Sequence, residues 1–192
     1  MNSDVVIEDG ITDNIKTKKV LYSIIKRLVD IVVGLIGIIF LIPLTVIVKI
    51  ISICTGDFKS IFFKQERIGK NGKIFMMYKY RTMVPNADEV LMKMLKEDKE
   101  AAKEYKKNKK LKNDPRITKA GKFLRKTSLD EFPQFINVFL GSMSLIGNRP
   151  YLPREIDDMG KYYKDIIKTK PGISGLWYVS LYADSNCMKG VA

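Results

Sequence analysis

The stretch IVVGLIGIIFLIPLTVIV, residues Ile31 to Val48, runs for 18 residues without a charged side chain. That length is near the lower limit for a helix that crosses a bilayer, and the run is too long and too apolar for an ordinary surface element. No small-residue cleavage site follows it, and the downstream sequence is rich in Lys and Arg, so it reads as a retained membrane segment rather than a secretory signal. Basic residues flank it on both sides: Lys16, Lys18, Lys19, Lys26 and Arg27 before it, and Lys49, Lys59, Lys64, Arg67, Lys70 and Lys73 after it. A straight span would leave one basic flank outside, against the positive-inside tendency, whereas a helix that enters and returns keeps both on one side. Pro43 supplies a place to bend, because proline removes one backbone hydrogen bond and clashes with the preceding turn. Each limb would then be roughly 11 or 12 residues, about 17 Å, too short to cross. A single kinked span and a re-entrant helix are both open on these residues, and the flanking charges favour the second.

Outward from this segment, composition narrows the chemistry. The chain has 192 residues and a formal net charge of +13, from 34 Lys plus Arg against 21 Asp plus Glu. That length suits one catalytic domain plus a membrane element, and the charge points to an anionic partner: nucleic acid, anionic lipid or a phosphorylated substrate. Histidine is absent from the sequence, which excludes imidazole acid–base chemistry and histidine metal sites. Cys54 and Cys187 have neither metal-ligand spacing nor a disulfide framework, which fits a reducing, cytoplasmic setting.

Residues Ser60 to Met83, SIFFKQERIGKNGKIFMMYKYRTM, predict two short strands around a turn at Asn71-Gly72. From Pro85 to about Lys110, Val90, Leu91, Met94 and Leu95, and further along Ala102 and Tyr105, recur at helical spacing. One amphipathic helix is predicted there, with a solvated Lys-rich face ending at Lys106 to Lys110. NDPRITKAGKFLRKTSLDE, Asn113 to Glu131, then gathers Arg116, Lys119, Lys122, Arg125 and Lys126 ahead of two adjacent acids, an arrangement suited to phosphate. Ser128 and Glu131 also match the S-x-x-E capping box before the apolar run FPQFINVFL, which would make Glu131 structural and put Asp130 in the first turn of a helix, where amides and the dipole favour an anion. GSMSLIGNRP, Gly141 to Pro150, and TKPGISGLW, Thr169 to Trp177, read as irregular loops. Arg149 in the first is either an exposed loop arginine or a planar grip for a phosphate.

The order of motifs resembles the bacterial sugar transferase family, the monotopic polyprenyl-phosphate phosphoglycosyl transferases, also described as undecaprenyl-phosphate sugar phosphotransferases. The resemblance rests on KRLVD at Lys26 to Asp30, the proline-broken apolar segment, YKYRTM at Tyr78 to Met83, RKTSLDEFPQ at Arg125 to Gln134, GSMSLIGNRP and KPGISGLW, covering roughly residues 20 to 180. It implies an α+β fold, with an N-terminal re-entrant membrane helix followed by a small, mostly helical domain carrying a β-hairpin. The expected organisation is a tail at 1–20, a membrane-associated helix at 21–56 re-entrant at Pro43, a catalytic domain at 57–180 on the cytoplasmic face of the bacterial inner membrane, and a divergent, truncated-looking tail at 181–192.

The activity implied is transfer of a sugar phosphate from a UDP-sugar to polyprenyl phosphate, beginning the assembly of an exopolysaccharide, capsule or other surface glycan. By the same resemblance Asp130 is the nucleophile that forms an aspartyl phosphosugar, and Glu131 its acidic partner, both near Mg2+. Arg125, Arg149, Lys79 and Arg81 are candidate substrate-binding residues. A carboxylate is chemically competent as a covalent nucleophile, and a hard magnesium ion prefers oxygen ligands and bridges phosphates. Two departures stand out. Asn148 occupies a position that is commonly proline in the family. After Trp177 the residues are Tyr178, Val179, Ser180, Leu181 and Tyr182 instead of the family's Gln-Val followed by Ser or Asn, Gly and Arg. An impaired relative that keeps the membrane fold is therefore a second expectation. A third, a membrane-tethered basic adaptor, has charge in its favour but no nucleic-acid-binding motif.

Overall fold

The computed structural model describes residues 3–108 and 111–176. The expectations for Lys109, Lys110 and the tail from Trp177 onward lie outside the described residues. The first element is a single helix, α1, running from Ser3 to Cys54 with Pro43 inside it. It takes in residues 3–20, expected as a tail; no proline interrupts that stretch to stop the helix. Nor does Pro43 divide it into two separate limbs. Proline is tolerated in such a helix where hydroxyls and neighbouring elements satisfy the backbone. The carbonyl that Pro43 deprives of a donor is that of Ile39; close by, Thr45 Oγ1 donates to the Leu41 carbonyl at 2.7 Å and meets the Tyr80 hydroxyl at 2.6 Å, which ties this turn of the helix to a neighbouring element.

From Thr17 to Cys54 the helix is long and apolar enough to cross a membrane, with a mean hydropathy of 3.0 in its most apolar window. Its buried positions, Asp30, Gly34, Gly37, Leu41, Val48 and Ser52, recur at helical spacing along one stripe. Between them Val32, Leu35, Ile36, Ile39, Phe40, Ile42, Val46, Ile47, Ile50 and Ile53 are exposed. Asp30, Gly34, Gly37 and Ser52, together with Leu41 and Val48, face protein, while most of the large apolar residues face outward, the reverse of a helix on a water-facing surface. The chain is membrane-associated on this evidence.

The predicted hairpin is present, with β1 from Phe62 to Ile68 and β2 from Ile74 to Tyr80 joined by hydrogen bonds. Asn71 at φ 59° and Gly72 at φ 75° supply the left-handed turn that the Asn-Gly pair predicted. The single amphipathic helix is instead two: α2, Ala87–Glu97, and α3, Lys99–Asn108. Asp98 separates them in an extended conformation, and its carboxylate accepts from the amides of Glu100 at 2.9 Å and Ala101 at 3.0 Å. An aspartate that caps a new helix offers the backbone an alternative to continuing the old one. Folding α3 back lets Leu91, Ala101 and Leu111 form a small core with Met94, Leu95 and Tyr105.

The remaining elements are α4, Lys119–Lys126; α5, Gln134–Leu140; β3, Ser144–Ile146; α6, Ile156–Met159; α7, Tyr163–Ile166; and β4, Gly172–Ser174. β3 and β4 pair in parallel, Ser144 with Gly172 and Ile146 with Ser174. The two stretches read as irregular loops thus contain strands. Three-residue strands are too short to show a period of two, and their partners lie far apart in sequence. Close approach here requires glycine: a Cβ on Gly147 would lie 2.3 Å from the Lys170 carbonyl, and one on Gly172 would lie 2.2 Å from the Gly147 amide.

The described residues form two compact units, one of residues 3–38, 66–75 and 135–176, the other of residues 39–65, 76–108 and 111–134. In the first, α5 packs on α1 where a Cβ on Gly37 would lie 2.3 Å from the Phe135 ring. Arg27 donates to the carbonyls of Val138 and Phe139, both at 2.8 Å, at the end of α5 where the last carbonyls lack full helical pairing. Asp30 accepts from Ser144 Oγ and from the Leu145 amide, both at 3.0 Å, and Lys26 donates to Ser144 Oγ and the Ile146 carbonyl. In the second unit, Met77, Tyr80 and Leu124 are buried.

Candidate active site

The site in the second unit is assembled from the end of β2, from α4 and from the turn after it. Thr118 caps α4, accepting from the Gly121 amide at 2.9 Å. Gly121 lets α4 pack directly on the segment just after β2, since a Cβ there would lie 2.0 Å from the Thr82 carbonyl. After Lys126 the chain turns through Ser128, which adopts a left-handed conformation at φ 56°. A non-glycine residue in that region is uncommon and concentrates at functional turns. It leads into a short 3-10 turn, Leu129–Glu131, that carries both acids.

The capping-box expectation is not met. Ser128 makes no side-chain cap, and α5 begins only at Gln134, after the buried Pro133. Asp130 therefore does not stand in the first turn of an α-helix. The left-handed Ser128 cannot take the extended conformation that an N-cap needs. The Glu131 carboxylate instead accepts from Lys79 Nζ at 2.7 Å, a bond between residues 52 positions apart.

Asp130 is partly buried, and burial raises its carboxyl above the ordinary aspartate value. The charge of Lys79 pulls it down, Glu131 adds to the rise and Arg125 opposes it. Burial, not a surplus of negative charge, is what keeps the Asp130 carboxyl raised, and a half-dry carboxyl with cations beside it is a condition that clusters at functional positions.

Of the other candidates, Arg125 lies in the same unit and donates through Nε, not its terminal fork, to Thr82 Oγ1 at 2.9 Å. Arg81 is committed elsewhere. Its Nη2 donates to both Asp57 oxygens at 2.9 and 2.8 Å, its Nε to the Ser60 carbonyl at 2.6 Å and its Nη1 to the Met83 carbonyl at 3.2 Å. That pairing holds the Asp57 carboxyl below its usual value. Arg81 thus fastens the loop after α1 to the end of β2. Arg116 is also paired, buried against Asp114 through two bonds at 2.8 and 2.7 Å.

Arg149 belongs to the first unit, where Nη2 is 3.6 Å from Glu155 Oε1 and the guanidinium sits over the Tyr151 ring. Asn148, at the position commonly proline, donates to the Ile166 carbonyl and Thr169 Oγ1, each at 3.0 Å, so the departure supplies bonds that proline could not.

Sequence reasoning missed Tyr80 and Thr82. Tyr80 reaches Thr45 on α1 and Thr82 holds Arg125, while Lys79 between strand neighbours reaches Glu131. The alternation of a strand was the available signal, but it does not name the partners.

Among the described residues, no group of three or more Asp, Glu, Cys or His side chains is placed to hold a metal. A magnesium ion that keeps several waters and takes substrate phosphates needs only one or two protein carboxylates, so Asp130 and Glu131 are a chemically sufficient donor set. Burial makes the Asp130 anion costly, and a bound divalent cation would lower that cost.

Residues 21–191 match the profile of a family described as bacterial sugar transferase. The chain is 46% identical over 160 residues to an uncharacterized sugar transferase of Haemophilus influenzae, covering 82% of this chain and 33% of that protein. It is 44% identical over 161 residues to an undecaprenyl-phosphate galactose phosphotransferase of Salmonella typhimurium, covering 81% and 32%. A UDP-galactose-lipid carrier transferase of Erwinia amylovora is 43% identical over 159 residues, covering 81% and 32%. The chain spans about a third of the length of these relatives.

Proposed function

The chain belongs to the bacterial sugar transferase family, and we propose that it transfers a sugar phosphate from a UDP-sugar to polyprenyl phosphate through an aspartyl phosphosugar. The observation that carries this reading is the turn at Leu129–Glu131, where a partly buried Asp130 with a raised carboxyl stands beside a Glu131 bonded to Lys79. In the first step an Asp130 oxygen attacks the sugar-linked phosphorus and the bond to UMP breaks. In the second, an oxygen of the polyprenyl phosphate attacks the same phosphorus, the bond to Asp130 breaks, and the carboxylate is restored. Lys79 orients Glu131 and places positive charge beside the reacting phosphate, and Arg125 presents a second cation from α4. Mg2+ held by Asp130 and Glu131 would neutralise phosphate charge when bound. Arg149 is retained as a donor-binding candidate, whereas Arg81 acts as a positioning residue.

The same reading makes α1 re-entrant, with both basic flanks in the cytoplasm. Protein covers its stripe at Asp30 to Gly37 and again at Leu41 to Ser52, and polar partners meet it at Asp30 and at Thr45. A helix crossing a hydrocarbon layer of about 30 Å would carry such partners into lipid. Cysteines placed singly by Lys18→Cys and Lys70→Cys, without Cys54 and Cys187, are expected to resist an impermeant thiol reagent in intact cells and to react after lysis. Labelling at position 18 in intact cells would establish a spanning helix.

The chemistry is tested by incubating the protein with a UDP-sugar labelled in the sugar, with Mg2+ and no acceptor. Label should become covalently attached and be discharged by polyprenyl phosphate, and the Asp130→Asn variant should take up none. Label on that variant would assign the nucleophile elsewhere.

A further inference from the structure

Within the second unit, the C-terminal part of α1 and the short helix α4 leave a groove of about 260 Å3 between them. Leu44, Ile47, Val48 and Ile51 form one wall, and Ala120, Phe123 and Leu124 the other. An apolar cavity of roughly 150 Å3 stays dry and takes up a benzene-sized molecule, so this one has room for a larger branched hydrocarbon. We propose that the groove seats the isoprenoid chain of the acceptor lipid at the end that bears the phosphate, an inference that rests on the transferase reading above.

Three observations argue for that occupant. First, the groove is continuous with the lipid-facing surface: Ile47 on one wall is 53% exposed and Phe123 on the other 54%, so a chain can enter sideways from the membrane. Second, its charge is complementary to a lipid with an anionic head. Lys119 is the one charged group among the described lining residues. The rest of α4 adds Lys122, Arg125 and Lys126 and contains no acid. Third, the groove lies close to the reacting carboxylate along the chain. Leu124 lines it, and six residues later comes Asp130; even fully extended, six residues span at most about 22 Å. A bulk phospholipid would meet the first two conditions as well. The third favours the acceptor, whose phosphate must reach Asp130 while its tail stays in lipid.

The groove has an odd construction for a purely structural joint. Gly121 seats α4 tightly on Thr82 on one side of the helix, while on the neighbouring side Ala120 stops short of α1 where a larger residue would close the gap. A fold that only needed to attach α4 to α1 would fill that space, since unfilled apolar volume costs stability.

The test uses the full chain in lipid nanodiscs with two photoreactive probes. One is a polyprenyl phosphate carrying a diazirine in its first isoprene units, and the other is a phosphatidylglycerol with a diazirine in its acyl chain. The expected result is that the polyprenyl probe labels peptides containing Ile47, Ile51, Ala120 or Phe123, and that unlabelled polyprenyl phosphate competes the labelling away. Equal labelling of those peptides by the phosphatidylglycerol probe, unaffected by competitor, would overturn the proposal and assign the groove to bulk lipid. Because labelling needs no turnover, it decides the matter even if no donor sugar proves active, so failure of the groove and failure of the transferase reading remain distinct. In kinetics, Ala120→Trp, which fills the groove, should raise the acceptor KM about tenfold more than the donor KM. Phe123→Ala, at the exposed rim, should shift the acceptor KM in the same direction to a smaller extent and guards against a folding defect in the tryptophan variant. Acceptor and donor KM values that move together in both variants would refute the assignment.

Discussion

Asp30 and Asp130 are the same side chain put to opposite uses. Asp30, 4% exposed, lies on the buried stripe of α1 with Oδ1 accepting from the Ser144 hydroxyl and the Leu145 amide. Asp130 lies in a strained turn next to another acid, and its carboxyl is pushed up chiefly by burial, with Lys79 only partly offsetting that. In one region the carboxyl group is built into the fold by two hydrogen bonds. In the other, burial raises the carboxyl against the pull of Lys79 and Arg125, the kind of perturbed group that reactive sites use.

The largest effect that could break this contrast is on turnover. Asp130→Asn should lower kcat by about 10^4-fold or more, the scale of removing a covalent nucleophile, and it is checked by UMP release. Glu131→Gln and Lys79→Met should each cost about 10^2- to 10^3-fold, as expected for loss of one preorganised charged group. The double variant should cost much less than the product of the two, because they share one 2.7 Å bond. Strict additivity would mean that the bond is incidental to the chemistry.

Stability should respond in the opposite region. Asp30→Ala leaves the buried Ser144 hydroxyl and the half-buried Leu145 amide without their acceptor and should cost about 1–3 kcal/mol in unfolding, with kcat per folded molecule retained. Gly37→Leu should cost a similar amount, about 1–3 kcal/mol, by forcing the Phe135 ring aside.

The smallest effect is a pH-dependent shift in Tm. The Asp130 carboxyl is raised in the folded protein, so wild type loses stability as pH climbs from the unfolded value, near 3.8, through the folded one. Asparagine carries no such titration. In EDTA, the Tm advantage of Asp130→Asn should therefore grow across that window and level off above it. An advantage that shrinks with rising pH would show that the fold stabilises the Asp130 anion after all.

Local signals were legible in the sequence. The uncharged run of α1, the Asn71-Gly72 turn and the basic character of α4 are each set by neighbours a few residues apart. Where a local signal competed with a distant partner, it misled. Ser128 and Glu131 had the spacing of a capping box, yet Glu131 pairs with Lys79. Arg81 and Arg116 looked like phosphate ligands, yet each is held by an aspartate.

By itself, then, the sequence determined a membrane-associated helix, a hairpin, a strongly basic surface and the adjacency of Asp130 and Glu131, because hydropathy, turn chemistry and covalent order need no tertiary contact. Only the tertiary structure decided which cation serves those acids, that α1 presents Asp30 and two glycines to α5 and β3, and that two short strands pair across the last third of the chain. Those choices depend on hydrogen bonds and close backbone approaches between residues tens to more than a hundred positions apart. No pattern within a single turn or strand encodes such a partner.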